Sequence, residues 1–181
     1  TCYLNSLLQT LYMTPGLRRA VFEWSYDDAI HGPLETSLPA QLQLLFTRLA
    51  HTAAAATSTK ALCSSFGWQG NEAFRQHDVN ECFLKIFDFV KEECSGSPLA
   101  EHTSTAWEGK TIDYIHCTET DSVRYAGGAT VTFRTVQLQA EGMASIAEGF
   151  ECFVRPERFQ LNNDALGRRT ASDKGMHFVS L

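Results

Sequence analysis

Residues 1–11 read TCYLNSLLQTL, and the pattern of this stretch predicts an amphipathic helix at the start of the chain. Its leucines recur at i, i+3, i+4 and i+7, the spacing of one helical face: Leu4, Leu7, Leu8 and Leu11. Cys2 lies at the start of the predicted helix, where the N-terminus stabilises negative charge and would favour a nucleophilic thiolate. Cysteine is also among the most buried residue types, so position alone favours an ordinary buried thiol.

The composition is that of a globular protein. The chain has 181 residues, 44% of them hydrophobic and 20% charged, which is enough for one domain or a large part of one. The formal net charge of -6 argues against a nucleic-acid binder, which usually carries a basic patch. The negative charge is compatible with a partner that has a basic contact surface.

The six cysteines, at positions 2, 63, 82, 94, 117 and 152, form no C-x-x-C pair. This usage favours a reducing, intracellular compartment, the cytoplasm or the nucleus. The sequence contains no signal peptide and no apolar run of the roughly 20 residues that span a bilayer. Because the chain starts without methionine, we expect it to be a segment of a longer protein.

The order of patterns predicts an α+β fold, with helices first and strands later. Helical periodicity is present in 4–11, 17–24, 42–49, 79–90 and 146–154. Strand patterns are present in 111–117, 122–125, 130–138 and 176–181.

A second motif, QHDVNE at 76–81, precedes the strongest helical pattern. Asp78 and Glu81 have the spacing of an N-cap and its capping-box partner, which by itself would explain both residues. The alternative is an acidic pair that recognises basic side chains of a partner, since carboxylates bind arginine in a bidentate manner.

Taken together, these motifs resemble the ubiquitin-specific protease family. TCYLNSLLQ at 1–9 resembles its Cys box, and QHDVNE resembles its second box, Q-[QH]-D-[AV]-x-E. FGW at 66–68 resembles the herpesvirus-associated subgroup. WEGK at 107–110 with YIHC at 114–117 resembles the entry into the family's fingers region. The resemblance covers essentially the whole chain in the family's order.

The resemblance implies the N-terminal half of a papain-like catalytic domain. Residues 1–105 would form the thumb, and residues 106–181 the start of the fingers and palm. The implied activity is thiol-dependent hydrolysis of the bond after the C-terminal glycine of ubiquitin. Cys2 would be the nucleophile, and its backbone N–H would contribute to the oxyanion hole.

The resemblance also implies roles for the residues around Cys2. Asp78 and Glu81 would face the arginines of the ubiquitin tail, and Trp68 would line the groove beside them. Two further residues of the second box, Gln76 and His77, would belong to the same ubiquitin-binding surface. Two residues of the Cys box would have structural roles near the site: Asn5 and Gln9.

The family's oxyanion asparagine and its histidine box would lie outside this chain, since none of the six histidines has a G-H-Y-like context. We therefore expect the segment alone to be inactive. The implied partners are ubiquitin and ubiquitinated proteins, with no cofactor, nucleic acid or membrane. The alternatives are a non-catalytic ubiquitin-binding relative and an unrelated papain-type hydrolase. The Cys box argues against the first, and QHDVNE argues against the second.

Many family members hold zinc in the fingers with two C-x-x-C pairs. Here the first pair would be Cys117-x-x-Thr120, in which threonine replaces the second cysteine. We predict no zinc through this knuckle. His116 is no substitute, because neighbours in a strand point to opposite faces.

Overall fold

The chain divides into two compact units, Thr1–Trp107 and Glu108–Leu181. The first unit is helical and the second contains an antiparallel sheet, so the fold is α+β, as predicted. The assignment of these units to a thumb and to fingers remains a prediction. The computed structural model describes residues 2–67, 78–125, 127, 129–164 and 166–180.

The described helices of the first unit are α1 (Cys2–Met13), α2 (Pro15–Glu23), α3 (Asp28–His31), α4 (Leu38–His51), α5 (Lys60–Ser65), α6 (Val79–Glu93) and α7 (Pro98–Trp107). Proline begins α2 and α7. The N–H groups of a first helical turn have no acceptor within the helix, so proline costs no hydrogen bond there, and its fixed φ suits the turn. In the part of the chain that the structure describes, no helix has the length and apolar character needed to span a bilayer.

The core of the first unit consists of the apolar faces of these helices. The leucines of α1 are all buried, as their spacing predicts. On α6 the buried face consists of Cys82, Ile86, Phe87 and Val90, and the Trp107 ring lies 5.2 Å from that of Phe87. Helix α1 packs against α2 and α6, and α4 packs against α5 and α6. The helix that begins with Cys2 therefore lies on a packed core.

The second unit is an antiparallel sheet with one helix. Its described elements are β1 (Gly109–Cys117), β2 (Ser122–Tyr125), β3 (Val131–Phe133), α8 (Ile146–Phe153), β4 (Glu157–Asn163) and β5 (Arg168–Ser180). Strand order is β2-β1-β5-β4, and β3 also pairs with β1. Gly109 allows the β1–β3 approach, because the Phe133 ring occupies the space that a β-carbon at Gly109 would fill.

The structure differs from the sequence prediction in several elements. The strand predicted over 130–138 is confined to Val131–Phe133, and β5 begins well before the predicted residue 176. The mostly polar β4 was not predicted, since its stability comes from pairing along β5 rather than from its own pattern. Helices α3, α5 and α7 were also not predicted. Val79 begins the apolar pattern of 79–90 but is 47% exposed.

Candidate functional site

Cys2 is the first residue of α1 and is exposed to solvent. Its backbone carbonyl accepts a hydrogen bond from the Ser6 hydroxyl at 3.1 Å, one turn further along the helix. The buried-thiol interpretation of Cys2 is therefore wrong, because the apolar face of α1 starts at Leu4 and leaves Cys2 on the opposite side. The structure presents this thiol at the surface, at a helix N-terminus where backbone N–H groups lack helical partners.

The other two Cys-box residues lie on the solvent side of the same helix. Asn5 and Gln9 are both exposed, at i+3 and i+7 from Cys2. This spacing aligns the three side chains along one stripe of α1. The structure thus brings Cys2, Asn5 and Gln9 to one face, opposite the leucines.

The far end of α1 is anchored by an aromatic contact. The Tyr12 ring meets the Phe46 ring of α4 edge to face, with centroids 5.3 Å apart. Arg18 lies 5.1 Å from the centroid of the Tyr12 ring and donates a hydrogen bond to the Tyr12 carbonyl at 2.9 Å. These contacts link α1 to α4 and α2, so they fix the direction of the helix that carries Cys2.

Asp78 caps helix α6, as the local reading of the motif predicts. Its Oδ1 accepts hydrogen bonds from the backbone N–H of Asn80 at 2.6 Å and of Glu81 at 3.4 Å. Both bonds use the same oxygen, and Oδ2 accepts none from the described residues. Asp78 is exposed, so this carboxylate lies at the surface at the N-terminus of α6.

Glu81 does not complete a capping box among the described residues. Its Oε1 instead forms an ion pair with Lys85 Nζ at 2.9 Å, and both side chains are substantially exposed. The sequence interpretation missed Lys85, although its i+4 spacing from Glu81 is the signal that predicts such a pair. Asp78 and Glu81 both begin α6, which packs against the helix of Cys2.

Trp68, Gln76 and His77, the other predicted ubiquitin-binding residues, lie outside the described residues.

Cys117 ends β1 in the second unit, and its surroundings do not fit zinc. Its Sγ lies 3.6 Å from Thr170 Oγ1 and 3.9 Å from Asn163 Nδ2, and neutral hydroxyl and amide groups are poor zinc ligands. His116 contacts Asp121 instead, with Nε2 2.8 Å from Oδ1. Within the described ranges, no group of three or more histidine, cysteine or acidic residues could hold a metal ion.

Comparison with known proteins gives consistent matches over nearly the whole chain. The profile of the family described as ubiquitin carboxyl-terminal hydrolase matches residues 1–177. Ubiquitin carboxyl-terminal hydrolase 47 of Mus musculus is 37% identical over 189 residues, covering 99% of this chain and 13% of that protein. Its Drosophila melanogaster namesake is 35% identical over 190 residues, covering 99% of this chain and 12% of the relative.

A relative with lower sequence identity also matches this chain over its whole length. Ubiquitin carboxyl-terminal hydrolase 7 of Caenorhabditis elegans is 32% identical over 187 residues, covering 100% of this chain and 16% of that protein. This chain therefore spans only 12–16% of the length of these relatives.

Proposed function

Because this chain belongs to the ubiquitin carboxyl-terminal hydrolase family, we propose that the protein containing it is a thiol-dependent deubiquitinase. The observation that carries the proposal is the family match from the first residue of the Cys box onward, with Cys2 exposed at the N-terminus of α1. Membership of the herpesvirus-associated subgroup remains a prediction.

In the proposed reaction, the Cys2 thiolate attacks the carbonyl carbon of the C-terminal glycine of ubiquitin. The bond to the substrate amine breaks, and the amine leaves with a proton supplied by a general acid. Water then hydrolyses the thioester, which releases ubiquitin and restores the thiol. The N-terminus of α1 contributes its dipole and the Cys2 N–H to the negative charge that develops on the carbonyl oxygen.

The second part of the proposal assigns Asp78 and Glu81 to recognition of the ubiquitin tail. The Asp78 Oδ2 is not used by the helix cap, so the carboxylate can serve α6 and a tail arginine together. Glu81 is exposed and exchanges its surface ion pair with Lys85 for an arginine at small cost, since exposed pairs contribute about 0–1 kcal/mol.

The test of the proposed activity uses the intact parent protein and ubiquitin that carries a fluorescent C-terminal amide. We expect fluorophore release, and a covalent adduct with ubiquitin bearing a C-terminal electrophile, mapped to Cys2. A protein that binds ubiquitin but gives neither release nor adduct would be the non-catalytic relative, and the proposal would fail.

The two roles of Asp78 are separated by comparing two substitutions. Asparagine is as good an N-cap as aspartate, so Asp78→Asn should leave stability unchanged and lower kcat/KM by about 5–150-fold, the loss of about 1–3 kcal/mol. Asp78→Ala should add a stability loss of about 1 kcal/mol. Melting temperature and hydrolysis of the ubiquitin amide measure the two effects.

A double-mutant cycle gives the control for this prediction. Asp78→Asn is combined with ubiquitin in which the tail arginines are replaced by glutamine. If carboxylate and arginine interact, the two losses should be strongly non-additive. Additive losses in kcat/KM would leave Asp78 only its capping role.

We also propose that the parent protein acts in the cytoplasm or the nucleus, a reducing compartment. All six cysteines are free thiols, which supports this placement.

A further inference from the structure

A pocket of about 240 Å³ opens beside Cys117 in the second unit, and none of its lining residues is among those proposed for catalysis. The residues that matter for its chemistry are Cys117, Arg124, Asn163, Thr170 and Ser172. Cys117 on β1 is directly paired with Ser172 on β5, so their side chains point to the same face of the sheet. Cys117 is only 8% exposed, and the pocket gives a small molecule a way to approach it.

Ser172 is an independent sign that the pocket accommodates a ligand atom. The residue is 1% exposed, yet no hydrogen bond joins its hydroxyl to another residue in the described part of the chain. Buried hydroxyls are nearly always hydrogen-bonded, because burial without a partner costs free energy. Ser172 lines the pocket, and no fully buried side-chain oxygen among the described residues lacks a partner, so the Ser172 hydroxyl keeps accessible surface that a small molecule in the pocket can reach.

The environment of Cys117 favours the thiolate. Hydrogen bonding with the Thr120 side chain, then with the Thr170 side chain and the Thr120 and Glu119 backbone, lowers the pKa of Cys117 to about 6, although burial opposes the shift. By contrast, burial raises the pKa of Cys82 in the first unit to about 11. Thiolates react with oxidants and electrophiles far faster than thiols do.

We propose that Cys117 is a site of oxidation by hydrogen peroxide, and that the pocket beside it holds the resulting sulfenic acid. The proposal does not depend on deubiquitinase activity. It rests on a nucleophilic sulfur, a pocket that admits a small oxidant, and the Ser172 hydroxyl, which lines that pocket and has no hydrogen bond to another described residue.

The reaction balances with peroxide as the only co-reactant. The Cys117 sulfur attacks one peroxide oxygen, the S–O bond forms and the O–O bond breaks. Sulfur is oxidised by two electrons, and peroxide is reduced to hydroxide, which takes a proton from solvent to become water. Arg124 provides positive charge for the departing oxygen, and Ser172 and Asn163 donate hydrogen bonds to the oxygen retained on sulfur.

The test treats the full-length protein with hydrogen peroxide at pH 7 in the presence of a 1,3-dione that traps sulfenic acids, followed by peptide mass spectrometry. We expect the adduct on Cys117 to form at least about tenfold faster than on Cys152, a free thiol of intermediate exposure in the same unit. Because mass spectrometry assigns each adduct to one peptide, the adduct on Cys117 is measured separately from any adduct on Cys2. Equal rates at Cys117 and Cys152 would overturn the proposal.

Two variants and a pH series complete the test. Cys117→Ser should remove this adduct alone, and Ser172→Ala should lower its yield several-fold; an unchanged yield in Ser172→Ala would contradict the role of the pocket.

Alkylation of Cys117 by iodoacetamide should reach half its maximal rate near pH 6, since the thiolate is lost below its folded pKa. A midpoint at the ordinary thiol value of about 8.5 would contradict the thiolate assignment.

Discussion

Replacing Cys2 with alanine is expected to lower hydrolysis of a ubiquitin C-terminal amide by about 10⁴-fold or more, with no loss of folding. Removing the nucleophile of a catalytic triad costs up to about 10⁶ in kcat, and only binding and oxyanion stabilisation remain. Stability should be unaffected, because Cys2 is exposed and is not a member of the hydrophobic core that the described residues of the first unit form. Single-turnover hydrolysis by the intact parent protein measures the effect.

The matched control is Cys152→Ala, which removes another accessible thiol from the same protein. Hydrolysis by this variant should stay within about twofold of the wild type, while ubiquitin binding should be retained in both variants. If Cys2→Ala keeps more than about a tenth of the activity, the nucleophile is a different residue. If both variants lose activity in proportion to lost secondary structure, the effect of Cys2→Ala is on folding.

Replacing Phe46 with alanine is expected to destabilise the first unit by about 3–5 kcal/mol, the usual cost of removing a phenylalanine from a packed core. Phe46 is fully buried on α4 and meets the ring of Tyr12 on α1. The cavity would therefore open directly under the helix that carries Cys2. Hydrogen exchange of α1 and α4 amides in the intact protein should speed up by about 10²–10⁴-fold.

Phe22→Ala is the control for this prediction, because Phe22 lies on α2 of the same unit and is 40% exposed. The same atoms are removed at the surface, so exchange of α1 and α4 should change by less than about tenfold. Similar acceleration in Phe22→Ala and Phe46→Ala would mean that the Tyr12–Phe46 contact does not hold α1. Faster exchange in Phe46→Ala with unchanged ubiquitin hydrolysis would separate the stability of α1 from the activity of Cys2.

The elements that could be predicted from sequence are those whose cause is local. The leucine spacing of α1 and the apolar spacing of α6 each recur within a few turns, and both helices are present with those faces buried. The Asp78 cap is equally local, because its hydrogen bonds reach only two and three residues along the chain. Val79 fits the same apolar pattern but is exposed, since periodicity does not show where the core ends.

The exposure of Cys2 could also be derived, since the leucine face begins at Leu4 and turns Cys2 away from it. The usual burial of cysteine favours a buried Cys2. The angular position of a residue around a helix is a stronger guide to its exposure than residue-type statistics are. The resemblance to a family, carried by the two boxes, pointed to Cys2 as the nucleophile where local physics left two interpretations open.

By itself, the sequence determined the helical first half, the α+β class, the cap of α6 and the family, because each depends on residues close together in the chain or on a continuous motif. Only the tertiary structure decided the length of β5, the existence of β4 and the surroundings of Cys117. Thr170 and Ser172 lie beside Cys117 through the β1–β5 pairing. One of the contacts that tune this thiol, the Thr170 side chain, is 53 residues away in sequence, and no local pattern records such pairings.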